Sequence, residues 1–422
     1  MKVKGYLVVI VLLLSLGLSN VAALGASPKT ITIMAHWSQT QQEKVIPILQ
    51  EYERLNPDVK IVVQGVPMKE FLKKILVSRL GGDTPDIYHI YNLWMPQLVE
   101  NGVTATPPKN IQALIKKSFT LSAVQGVTQR GIPWGFPTEI NDYMLVYNKK
   151  LFAEAGISGP PKTWTELLAD AKKLTKKDAS GNIVQAGFAV RPGDISGVFH
   201  PWMSLLWSNG GEFLSKDLKK AAFNSKKGLE ATEFFADLVT STQFSSVDDF
   251  IAGKVGMIIF APWGRLYFQD RMGGNFNDVA TAALPASPTG GRVSVAYSWS
   301  YVVDKNSEKR PEVWQFLEWL STKMAGGSAT SPMGHYLVDI LGAIPSLEKD
   351  IASRSDILGN NYNKPFIEGL KYARTEPQLL PAEEVRVEMA KQLEAMLYKQ
   401  KSAKQALADA ENKINEILAD YY

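Results

Sequence analysis

The chain's 422 residues are 45% apolar and 21% charged, enough to bury a large core and more than one ordinary domain needs. A formal charge of +4, with Lys and Glu interspersed, is no polyanion-binding balance, so nucleic acid is not expected as a partner. With no cysteine, disulfides, thiolate metal sites, Cys nucleophiles and a lipid-bearing N-terminal Cys are excluded.

Met1-Lys2-Val3-Lys4 is basic, Leu7 to Leu18 is apolar but for Ser15 and Gly17, and Ala22, Ala23, Gly25 and Ala26 follow. This order reads as a signal peptide over residues 1–26. The alternative is an uncleaved anchor, but the run falls short of the ~20 residues a spanning helix needs. Periplasmic or secreted protein is expected. Thr30 to Ala35 alternates as a strand should. Thr40-x-x-Glu43 fits a capping box for a helix with Val45, Leu49, Tyr52 and Leu55 inward, and Pro47 is expected to kink it or delay its start. A strand follows at 59–63. The next helix starts at Lys69 and stops at Gly81-Gly82; a third strand covers 86–90. Strand and helix in alternation predict a mainly parallel sheet covered on both faces, with ligands gathering beyond the strands' carboxyl ends.

Residues 132–139, dense in Pro, Gly and aromatics, read as a crossing between two domains. A strand then runs to Tyr147. Thr163-x-x-Glu166 caps a helix with Trp164 as a core anchor. Residues 202–207 are helical up to Asn209-Gly210-Gly211, and 255–260 form a buried strand closed by Pro262-Trp263-Gly264. Tyr297 to Val303 is a strand, and Pro311 to Leu320 a helix whose Trp314 and Trp319 belong to the core. The tail reads as two helices, the first with Val385, Met389, Leu393 and Leu397 buried, the second capped by Ser402. No internal repeat or low-complexity linker breaks the chain, so two lobes joined by several crossings are expected.

Tyr147 to Ile157 with Pro160 to Leu168 closely resembles the matching stretch of family 1 extracellular solute-binding proteins of ABC importers, the maltose-binding-protein-like class. Further blocks stand in that family's order: Thr84-Pro85-Asp86-Ile87, Leu93-Trp94-x-x-Gln97-Leu98-Val99-x-x-Gly102, Asn209-Gly210-Gly211, Phe250-x-x-Gly253-Lys254-x-Gly256-Met257 and Ser402 to Leu407. The resemblance implies an α/β two-lobed fold, each lobe a mainly parallel sheet flanked by helices, joined by hinge crossings. It implies lobe one at 29–137 plus 302–343 and lobe two at 138–301 plus 344–422. It also implies a monomer that delivers its cargo to membrane permease subunits with their cytoplasmic ATPase, without catalysis.

Several aromatics sit where strands end: Trp37, Trp202, Trp263, and Trp299 beside Tyr297 in the return strand. A sugar ring stacks its C–H face on such surfaces while its hydroxyls need polar partners. His36, Gln39, Gln41, Asn92, Glu139, Asn141, Asp142 and Arg265 supply candidates, and Tyr336, in a Gly/Ser-rich turn with Met333, is placed to close the cleft. His36, His89, His200 and His335 are scattered and form no HExxH pair; no metal or cofactor is expected. Two readings compete with a carbohydrate ligand. The same fold could hold glycerol phosphate through Arg265, or a polyamine through Glu139 and Asp142. An exported carbohydrate-active enzyme would need two carboxylates across a glycosidic bond, such as Glu139 with Asp194 or Glu212.

Overall fold

The computed structural model describes residues 28–82, 84–239, 242–244, 247–324 and 328–422. The signal-peptide expectation lies outside the described residues. Among the described residues no helix is long and apolar enough to cross a membrane.

Two sheets organise the chain. In the first, strands Val59–Gly65, Lys29–Ala35 and Ile87–Tyr91 run parallel, and the return strand Ser294–Val303 lies antiparallel beside Ile87–Tyr91. Phe136–Asn141 and the short Ala373–Thr375 also pair with the return strand. The second sheet runs Val279–Ala282, Met144–Asn148, Val255–Phe260, Ile183–Ala189, Lys176–Lys177. It is mixed: Val255–Phe260 and Ile183–Ala189 are parallel, but Met144–Asn148 enters almost directly from Phe136–Asn141 and lies antiparallel to Val255–Phe260.

Local chemistry fixes the helices that flank these sheets. Helix Gln39–Leu55 starts two residues ahead of the expected box. The Ser38 hydroxyl accepts from Gln41 N (3.3 Å) and the Gln41 carboxamide from Ser38 N (2.9 Å), so Pro47 falls inside the helix without delaying it. Helix Met68–Gly81 ends where Gly82 turns left-handed at φ +75°. Thr163 caps Trp164–Leu174 as read from sequence, and Trp164 stacks on Phe234 at 4.2 Å. Met333 and Tyr336 lie not in an open turn but in a short helix, Pro332–His335, that runs into a π-helical turn over Tyr336–Leu341. The C-terminal helices Ala382–Leu397 and Ala403–Tyr421 pack on each other; the first also lies on helix Ile195–Ser208 and on Asn92–Trp94. Val385, Met389, Leu393 and Leu397 are buried there.

Among the described residues, three segments that join the sheets lie side by side. Asn141 leads through Asp142-Tyr143 into the second sheet, and Ala282 returns to the first through Ser294. A third segment, 344–346, runs alongside: Ile140 N donates to Ile344 O (3.0 Å) and Ser346 N to Thr138 O (2.9 Å). Asn141 in turn sits opposite Tyr297 on the return strand. The three crossings are therefore laced by main-chain hydrogen bonds.

Candidate functional site

Side chains of a strand alternate between faces. In the return strand that puts Tyr297, Trp299 and Tyr301 on one side. The antiparallel register sets Trp299 opposite Tyr91 and Tyr301 opposite His89, so five rings share one face at the sheet's crossing edge. Tyr91 and Trp299 have centroids 5.6 Å apart, His89 and Tyr301 4.7 Å. His36 and Trp37 follow the first strand and fold over this face. His36 stacks on Trp299 at 3.6 Å, while Trp37 meets His89 at 5.3 Å and Tyr336 at 5.7 Å.

Glu139 and Asn141 share a face of the adjoining strand, with Asn141 Nδ2 3.4 Å from the Glu139 carboxylate. That carboxylate acts on the phenols of Tyr297, Tyr301 and Tyr336, whose ionisation burial and then its negative charge oppose. Glu139 has no ion-pair partner among the described residues, and burial pushes its carboxyl up to about 7. Burial likewise pushes the His36 imidazole down to about 3, so the ring is neutral at physiological pH. From the second sheet comes Trp263, which ends strand Val255–Phe260 and opens helix Gly264–Met272. It leans on Phe260 (4.7 Å), donates Nε1–H to the Tyr297 hydroxyl (3.0 Å) and stays 37% exposed.

Four buried polar atoms on these rings and this strand have no hydrogen-bond partner among the described residues: His36 Nδ1, His89 Nδ1, Asn141 Oδ1 and the Tyr301 hydroxyl. Buried polar groups are rarely left so. Aromatic faces beside hydroxyl-seeking atoms suit a ligand with C–H faces and hydroxyls.

The structure thus brings together His36, Trp37, Glu139, Asn141, Trp263, Tyr297, Trp299 and Tyr336. The other expected residues have different employment. Trp202 is fully buried among Phe199, Phe213 and Phe223 with its N–H on Thr232 (2.9 Å); its helix turns it into the core, which corrects its reading as a ligand platform. Gln39 bonds Glu43 on the surface, and the Gln41 side chain is spent on the helix cap. Asn92 is buried and holds Ser298 N (2.9 Å), which fastens the return strand. Asp142 is fully buried beside Met144 and Gly369, with neither carboxylate oxygen partnered among the described residues. Arg265 lies by Gly342 and Tyr362. The exposed indole face expected of Trp299 is covered by His36, leaving Trp263 as the platform open to solvent.

Of the enzyme candidates, Asp194 caps helix Ile195–Ser208 and pairs with Arg191 (3.0 Å), and Glu212 pairs with Arg374 (2.9 Å). A surface groove of about 870 Å³ lies apart from all these residues, lined by Asn110, Lys305, Arg310 and Trp314 among others. Residues that sequence reasoning left out of the ligand set are Tyr301, His89, Tyr91, Tyr143 and Glu376. The alternation Tyr297, Trp299, Tyr301 carried a signal for the first; Glu376, 176 positions from its partner His200, carried none.

The family model for bacterial extracellular solute-binding proteins matches residues 36–326. A binding protein of Brucella abortus is 29% identical over 64% of this chain and 67% of its own length. The maltodextrin-binding protein of Bacillus subtilis is 26% identical over 75% of each. Among solved structures, an ABC transporter solute-binding protein from Thermotoga lettingae bound with α-D-tagatose superposes with a TM-score of 0.79 at 22% identity, covering 93% of this chain and all of that one. The two sheets, their laced crossings and these matches agree: the chain belongs to the bacterial extracellular solute-binding protein family.

Proposed function

We propose that this protein is the extracytoplasmic receptor of an ABC importer and holds a sugar or oligosaccharide between its two lobes without altering it. The observation that carries this is the pairing of an open indole, Trp263, with buried unpartnered polar atoms on His36, Asn141 and Tyr301. Sugar-binding relatives, named for maltodextrin and found with tagatose, support the same class of cargo. Lobe one holds the first sheet, about 29–141 with 294–343, and lobe two the second, about 142–293 with the C-terminal helices; boundaries expected at 137 and 301 would cut through strands Phe136–Asn141 and Ser294–Val303. Only the closed form meets the ligand from both sides, so binding shifts the population toward closure, the form that the permease subunits read. The protein works as an exported monomer.

Calorimetry against tagatose, maltodextrins and chitin oligosaccharides tests the reading. Saturable heat with one of them is expected; none with any sugar, but heat with a peptide or a polyamine, would reassign the cargo. A second reading rests on Arg265, a half-buried guanidinium with no ion-pair partner among the described residues, whose ionisation burial disfavours. It favours a sugar bearing a phosphate, and glycerol phosphate belongs in the same panel.

A further inference from the structure

Behind the aromatic wall runs a chain of polar groups that ligand contact does not explain. Trp263 Nε1–H donates to the Tyr297 hydroxyl at 3.0 Å. Tyr297 in turn packs its ring against those of Tyr143 (centroids 5.7 Å apart) and His200 (5.8 Å). Tyr143 OH meets His200 Nδ1 at 2.7 Å, and His200 Nε2 meets Glu376 Oε1 at 2.6 Å. Tyr91 joins as a side branch, donating to the same Glu376 oxygen. The four members behind Trp263 are all buried.

The two ends of the chain differ in kind. An indole N–H only donates, and an ionised carboxylate only accepts. Glu376 is held ionised: burial pushes its carboxyl up, but His200 and then Arg386 outweigh that and leave it below the ordinary value. Networks of this kind polarise along their length. At its open end the chain fixes an indole that otherwise leans on one ring, Phe260.

We propose that Glu376, acting through His200, Tyr143 and Tyr297, is the positioning residue that holds the Trp263 platform in its ligand-ready orientation. The proposal rests on the reading that the open face of Trp263 meets the sugar, and it adds a residue that touches neither Trp263 nor the cargo. A preorganised platform lowers the ordering cost of binding.

The test uses the full chain with ¹⁵N-labelled indoles, the Trp263 resonance being assigned by its loss in Trp263→Phe. Glu376→Gln and Tyr143→Phe are each expected to move that resonance and to weaken sugar binding about three- to tenfold, the worth of one hydrogen bond. Thr232→Val removes a buried hydrogen bond from Trp202 instead and leaves the Trp263 resonance in place. An unmoved resonance in Glu376→Gln and Tyr143→Phe, with sugar still bound, overturns the relay and spares the sugar reading. A moved resonance in a protein that binds no sugar supports the relay and overturns the cargo. If Glu376→Gln does not fold, the Tyr143→Phe resonance decides alone.

Discussion

Replacing Trp263 by alanine removes the aromatic surface in the site that solvent already reaches. At 37% exposure of a side chain that presents up to about 250 Å², roughly 90 Å² remains for a ligand to cover. At about 25 cal/mol per Å² that is about 2 kcal/mol, or about a 30-fold rise in Kd for the sugar found by calorimetry. Stability should change less than at a fully buried indole, because Trp263 is 37% exposed and makes one hydrogen bond, to Tyr297. Trp263→Phe keeps a flat face without the N–H and should fall between wild type and alanine. Titration of the purified variants, with thermal melts alongside, measures both quantities. A Kd within threefold of wild type in Trp263→Ala, with an unchanged melt, would refute the platform argument, since the open area would then play no part in binding.

Four further outcomes follow from other positions. The Glu139 carboxyl titrates near 4.5 when unfolded and about 7 when folded; the unfolded chain loses its proton first, so from pH 4.5 to 7 wild type should lose about 2–3 kcal/mol that Glu139→Gln keeps. The His36 shift runs the other way, from 6.5 down to about 3, so stability falls as pH drops below 6.5 and His36→Asn should flatten that limb; urea melts across the pH range that show parallel slopes in the variants would discount both. Trp202→Ala should cost about 3–5 kcal/mol, as loss of a fully buried indole does, while the folded fraction keeps its sugar affinity; a weakened Kd there would return Trp202 to the site. Gly187→Ala would place a methyl 1.7 Å from the Ala171 carbonyl oxygen and should abolish soluble expression, whereas Gly159→Ala, with nothing within 4 Å, should express normally.

Elements with strong local chemistry were legible from sequence. Thr163 and Ser402 cap where expected because a hydroxyl three residues before a free N–H has few alternatives. The buried strand 255–260 and the stripe of helix Ala382–Leu397 followed from periodicity. The first cap was misplaced because Ser38 and Thr40 offer rival boxes, and only the position of the preceding strand selects Ser38. Trp residues divided less cleanly. Trp202 and Trp263 both follow Pro in aromatic surroundings, but a tight run of apolar residues around Trp202 sends its helix inward, and Trp263 opens its helix at the protein's surface. Tertiary pairings such as His200 with Glu376 leave no local trace, so the part of the site that depends on them was invisible.

Each crossing between the sheets is tied to its neighbour through peptide groups, Ile140 to Ile344 and Ser346 to Thr138. Such fastening asks little of side-chain identity. Evolution is therefore free to redecorate the jaws for new nutrients while the mechanical joint stays as it is, consistent with a common architecture persisting at 22% identity. A designer who regrafts the recognition surface should likewise leave this backbone lacing intact.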